Sequence, residues 1–202
     1  GNPLVALAYV SYAIFLIAGV VSVVDDSGLD EWISLATNGA LGLTGFYAYR
    51  MERFDLATLA VFGLCTSLVW HSSGKFQQMD AFISRYIAYY AFGTSAVPPA
   101  VIGPAVLILV VFLTFEQHVE EMYVIVPLVA LLLFFKWNNN TITWRFVAAV
   151  GVGVGALVCY TQAEIGNVAW HSMWRVLGAI AVALTIEPLH RTTRKDFQHV
   201  HD

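Results

Sequence analysis

The sequence predicts an all-α fold, a polytopic transmembrane helix bundle of about eight spans, and three observations predict it. Of 202 residues, 58% are hydrophobic and only 12% are charged, about half the charged share of a soluble domain. Mean hydropathy is correspondingly high, at +0.69. The apolar residues fall into eight runs close to the roughly 20 residues that cross a bilayer core. Between the runs, the basic residues gather in every second turn. The formal net charge of −4 decides little, because in a membrane chain the placement of charges matters more than their sum.

The first span, 3–24, is uncharged and ends at Asp25-Asp26-Ser27-Gly28. The second, 32–49, carries Trp32, Tyr47 and Tyr49 as interfacial aromatics and stops at Arg50-Met51-Glu52-Arg53. The third covers 54–71, from Asp55 near its start to Ser72-Ser73-Gly74-Lys75 beyond its end. The fourth, 80–97, holds Ser84, Arg85, Tyr86, Tyr89, Tyr90 and Thr94, side chains that a lipid-facing helix carries only at high cost. It is therefore expected to face the bundle interior.

Pro98-Pro99 breaks the chain before the fifth span, 100–115. The sixth, 122–135, is short and runs into Lys136-Trp137 and the turn-forming Asn138-Asn139-Asn140. In the seventh, 146–161, Gly151 and Gly155 stand four apart, the spacing of a close helix approach. The eighth, 168–186, ends before Pro188 and a basic tail. Cys65 and Cys159 lie inside separate apolar runs and read as small core residues. No internal repeat is visible, which speaks against a transporter of duplicated halves.

Eight spans place the loops alternately on two sides. One side collects Arg50, Arg53, Lys136, Arg145, Arg191, Arg194 and Lys195, while Lys75 stands alone opposite, amid the acidic loops. Basic residues mark the cytoplasmic side. Both termini are therefore expected in the cytoplasm. His71 and His171 then sit together at the non-cytoplasmic boundary, with Ser67 and Arg175 each one turn deeper on their helices and Asp80 at the same level. A charge such as Arg175 inside a span is costly and normally paired; Asp80 or Glu164 is the expected partner, and a lipid phosphate or carboxylate the alternative. Arg85 either snorkels outward or pairs with an acid.

Ser67-x3-His71, the later Gly93-Thr94 and the run His171-Ser172-Met173-Trp174 resemble the CREST superfamily of seven-span membrane hydrolases. That group includes alkaline ceramidases, adiponectin receptors, the post-GPI-attachment phospholipase and myomaker. The resemblance is nearest to the phospholipase and myomaker branch, where an arginine-rich loop like Arg50-Met51-Glu52-Arg53 precedes the helix of the first histidine. It divides the chain into an extra N-terminal helix and loop (1–31), a seven-span core (32–189) and a basic cytoplasmic tail (190–202).

The resemblance implies a zinc held by three histidines, with a serine and an aspartate assisting hydrolysis of a lipid ester or amide. Ser67, His71 and His171 match this pattern, whereas Arg175 stands at the position of the third histidine. The family's aspartate position falls on Ser84, with Asp80 one turn earlier. The expectation is thus a lipid hydrolase with His71 and His171 as metal ligands and Ser67, Asp80 and Ser84 as catalytic candidates. Arg175 is left for a substrate headgroup or an ion pair. Its partners are membrane lipids, not nucleic acid, in the plasma membrane or a membrane of the secretory pathway. The alternative is a catalytically degenerate relative acting in adhesion, fusion or scaffolding, and Arg175 is the residue that favours it.

Overall fold

The computed structural model describes residues 3, 10, 38–73, 77–116, 120–164 and 170–186, with the backbone alone for 68–73, 77–78, 163–164 and 171–172. The expected first span, the start of the second and the tail lie outside the described residues, save positions 3 and 10. The described residues form helices and no strand: α1 (Gly39–Arg50), α2 (Phe54–Ser73), α3 (Gln77–Thr94), α4 (Pro99–Phe115), α5 (Met122–Asn138), α6 (Trp144–Glu164) and α7 (Trp170–Thr185).

Local chemistry accounts for the breaks. Between α1 and α2 the chain reverses through Glu52, and after α5 it reverses through Asn140, both in the left-handed region at φ 60° and 52°. Asn tolerates that conformation because its short polar side chain bonds locally. Pro99 opens α4 at a position where its missing N–H costs nothing. Several expected boundaries shift, among them the seventh span, which runs as α6 from Trp144 to Glu164. The fourth span begins at Gln77 and ends at Thr94, since Ser95 and Ala96 already form the turn ahead of the prolines, and the sixth continues through Lys136 and Trp137 to Asn138.

Four helices close a ring: α1 packs on α2 and α7, and α3 packs on the same two. Small residues set the spacing. A Cβ at Gly45 would lie 3.0 Å from that of Ala60, and one at Gly63 would meet Ile87 Cδ1 at 2.7 Å. Inside the ring, Ala48, Leu56, Ile87, Ala91, Val182 and Ile186 form the apolar core. A second cluster, Ala40, Val176 and Ala179, joins α1 to α7, and the buried Thr44 hydroxyl donates across that seam to the Ala179 carbonyl at 2.8 Å. A cross-helix bond of this kind satisfies a polar group that the core cannot otherwise hold.

The other helices lie outside the ring. α4 packs on α3 and α6 on α7. The Gly151–Gly155 face does not bring helices together as its spacing predicts, because Gly151 faces open space and Gly155 has only an ordinary contact at 3.8 Å with Leu177. Nor is Cys65 a core residue: it is exposed on α2, whereas Cys159 is buried. α5 buries only Lys136. Exposed apolar side chains cover α4, α5 and α6, among them Ile108 at 73% and Phe115 at 72%, far more than the surface of a soluble monomer carries in one region.

Among the described residues, one helical stretch is long and apolar enough to cross a membrane, Trp144–Gln162, with 19 residues at a mean hydropathy of 1.5. Phe54–Ser67, Pro99–Phe115, Met122–Asn138 and Met173–Thr185 are apolar but shorter.

Candidate functional site at the polar end of the ring

The basic residues in the described loops gather at one end of the bundle. Arg53, at the start of α2, bonds the Asp55 carboxylate at 3.0 and 3.1 Å and reaches Thr94 Oγ1, at the end of α3, at 3.1 Å. Asp55 also accepts the Tyr90 hydroxyl at 2.6 Å. Arg145, at the start of α6, donates to the Tyr47 hydroxyl and to the carbonyls of Ala183 and Ile186 where α7 ends. A cation over the last carbonyls of a helix opposes the negative end of its dipole. Lys136, at the end of α5, lies 4.7 Å over the Phe146 ring. None of these partnerships is legible in the sequence, where the same residues read only as loop charges.

The opposite end carries a different polar layer, with one polar group at each ring helix, three of them buried and the fourth, Arg175, half-buried. Asn38 precedes α1 and is 3% exposed; Ser67 on α2 and Asp80 in the first turn of α3 are each 6% exposed. Arg175 comes from the second turn of α7, and its guanidinium and the Asp80 carboxylate lie close enough to feel each other's charge. Asp80 is thus one of the charges that Arg175 feels, and it is one of the two acids expected as its partner. Ser84 follows one turn along α3 from Asp80 and is half-buried.

Ser67 Oγ donates to Asn38 Oδ1 at 2.9 Å, tying α1 to α2. Asn38 makes no side-chain capping bond to its own helix, although Asn at a helix start usually does. Its Nδ2 is buried and has no hydrogen-bond partner among the described residues. Asn38 is absent from the expected site. The signal that could have found it is a polar amide inside an otherwise apolar span, a residue type that the low-dielectric interior tolerates only with partners.

The two histidines belong to this end by register. His71 is helical in α2, four residues beyond Ser67, and His171 is helical in α7, four residues before Arg175. Both therefore stand about 6 Å further along their helices than those two residues, while their side chains lie outside the described residues. The Glu164 side chain and the whole of His118 lie outside them as well. Among the described residues no three His, Cys, Asp or Glu side chains come together as a metal site would require.

A third polar cluster lies away from both ends. Arg85 Nε donates to Glu121 Oε1 at 3.2 Å, and the Tyr89 hydroxyl donates to the same oxygen at 3.0 Å. Of the two roles open to Arg85, pairing with an acid is the one observed. Tyr89 lies nine residues beyond Asp80, about 13 Å along α3, so the Glu121 carboxylate sits well inside the bundle instead of in the loop layer. Comparison of the chain with protein-family models, with curated proteins and with solved structures gives no match.

Proposed function

We propose that the chain is an integral membrane protein resembling the lipid amide and ester hydrolases, with its site at the non-cytoplasmic end of the helix ring. The observation that carries this reading is the polar layer of buried Asn38, Ser67 and Asp80 with half-buried Arg175, one group at each of four helices, at the end opposite the basic cluster. Polar groups held together within an apolar bundle are expensive, and function is the usual reason that they persist.

The membrane reading is supported by the apolar faces of α4, α5 and α6 and by the short apolar helices around Trp144–Gln162. Short spans are accommodated by local thinning of the bilayer and by packing against neighbours. The basic end, with Arg53, Lys136 and Arg145, is the cytoplasmic one by the same rule that orders the loop charges. A lipid would then enter the polar layer from the outer leaflet, with its acyl chains along the apolar helices and its headgroup linkage at Ser67 and Asp80.

In this reading Asp80 takes and returns the proton of the attacking water, with the Arg175 guanidinium as a nearby opposite charge. Zinc is the cofactor that the resemblance brings, with His71 and His171 to hold it and an activated water as the chemistry it supplies. Arginine donates only and cannot ligate. The set of three protein ligands usual for catalytic zinc is therefore incomplete unless Asp80, Glu164, or His118 with its neighbours Glu120 and Glu121 completes it.

The same pairing of Asp80 with Arg175 favours a second reading, a relative with a degenerate site that acts in adhesion, fusion or scaffolding. Metal analysis of the purified protein separates the two. Stoichiometric zinc that disappears in His71→Ala supports the hydrolase. Absence of zinc, with folding indifferent to chelator, sinks it. Arg175→His supplies the missing ligand and is expected to raise zinc affinity if the two histidines converge.

A further inference from the structure

Among the described residues of the polar layer, Asn38 and not Ser67 has a donor to offer. A serine hydroxyl has one proton, and that of Ser67 is committed to Asn38 Oδ1 at 2.9 Å. What Ser67 can still offer a ligand is lone pairs. A primary amide has two N–H donors on its nitrogen, and Asn38 Nδ2 is buried with neither of them used. The Ser67 bond holds the oxygen side of the amide. Asn38 is thus anchored at one end and unsatisfied at the other, 3% exposed, in the layer that contains Asp80 and Arg175.

We propose that Asn38 Nδ2 is the donor that receives the carbonyl oxygen of a bound lipid's ester or amide linkage, with Ser67 as the positioning residue that orients it. Only an acceptor can satisfy an amide nitrogen. A metal ion or a ligand ammonium would be repelled from it, while a carbonyl oxygen matches it and brings no net charge into a layer that already holds Asp80 and Arg175. Such a donor also strengthens its bond as negative charge develops on that oxygen during attack on the linkage. The choice of a lipid carbonyl rests on the lipid-hydrolase reading above. The orphaned donor and its need for an acceptor do not.

The test uses two short-chain lipids carrying a ¹³C-labelled carbonyl, one a phospholipid ester and one an N-acyl sphingosine amide, added to the whole protein in detergent micelles. Infrared spectra of the wild-type complex are expected to show the labelled carbonyl stretch moved to lower frequency for whichever linkage the site accepts. In Asn38→Asp, nearly the same size but with an acceptor in place of the donor, that shift is lost and affinity falls at least about three- to tenfold, the worth of one hydrogen bond. Ser67→Ala leaves the donor in place and keeps a shifted, broadened band.

A second readout needs no variant that must fold. With ¹⁵N-labelled asparagine, the Asn38 side-chain N–H signal of the wild-type protein moves downfield as the lipid is added. Binding without hydrolysis, with the Asn38-dependent shift intact, would retire the hydrolase reading and keep this one. An unshifted carbonyl, an unmoved Asn38 signal, undiminished affinity in Asn38→Asp, or no binding of either lipid would overturn it, whether or not the protein hydrolyses lipids.

Discussion

The two ends of the helix ring solve the same electrostatic problem differently. At the basic end, charges are held by defined partners: Arg53 by the neighbouring Asp55 and by Thr94 of α3, Asp55 by Tyr90, and Arg145 by Tyr47 and the last carbonyls of α7. Only Arg145 Nε is left over, beside an Nη2 that makes three bonds. At the polar end, Asp80 and Arg175 balance one another, Ser67 is spent on Asn38, and the Asn38 nitrogen is left without a partner among the described residues. The first arrangement locks helix ends together. The second leaves hydrogen-bonding capacity where a ligand could use it.

Substitutions at the two ends should therefore differ in kind, and the largest effect is expected at Arg175. Arg175→Met strands the buried Asp80 charge, which costs about 3–5 kcal/mol, read as a lower unfolding midpoint in detergent. Adding Asp80→Asn should restore most of the loss, because replacing both members of a buried pair costs far less than breaking it. A double variant no more stable than the single one would show that the two charges do not depend on each other.

Next comes Arg145→Ala, which removes the donor that joins α6 to α1 and to the end of α7. A loss of about 1.5–3 kcal/mol is expected, the worth of hydrogen bonds from a charged group, with faster amide exchange at the last turn of α7 and no change in lipid binding. If lipid binding fell as well, the separation between a structural end and a binding end would be wrong. The smallest effect is expected for Tyr90→Phe, which removes only the hydroxyl at 2.6 Å from Asp55. A loss near 1 kcal/mol is the predicted outcome of an unfolding titration, again with lipid binding intact.

Much of the fold is legible in the sequence because burial and breaks are local. The apolar runs, the Pro98-Pro99 break and the Asn138-Asn139-Asn140 turn all fall at or near helix ends. The polar stripe of α3 likewise marks the helix that packs on α2, α4 and α7. What periodicity cannot reveal is which neighbour a residue meets. Gly151 and Gly155 have the spacing of a packing face, yet the close contacts involve Gly45 and Gly63, whose pairing depends on how the ring closes. Cys65 sits in an apolar run and still faces outward, since in an apolar helix hydrophobicity does not distinguish inside from outside.

The polar end shows the same division. Asp80 and Arg175 are conspicuous as charges in apolar helices, and their mutual influence follows from helix register at a shared level. Asn38 is not conspicuous, because its role depends on one hydrogen bond to a residue 29 positions away and on one atom left unbonded. Counting protons on Ser67 needs that partner. No pattern along the chain supplies it.

The central claim, that the polar end and not the basic end receives a lipid linkage, is tested most directly by photo-crosslinking. A short-chain phospholipid with a diazirine next to its ester linkage is bound to the purified protein, activated by light, and its adducts are mapped by mass spectrometry. Adducts concentrated around residues 67–71 and 170–175 are the predicted result. Adducts confined to the basic end, around Arg53, Lys136 and Arg145, would contradict it.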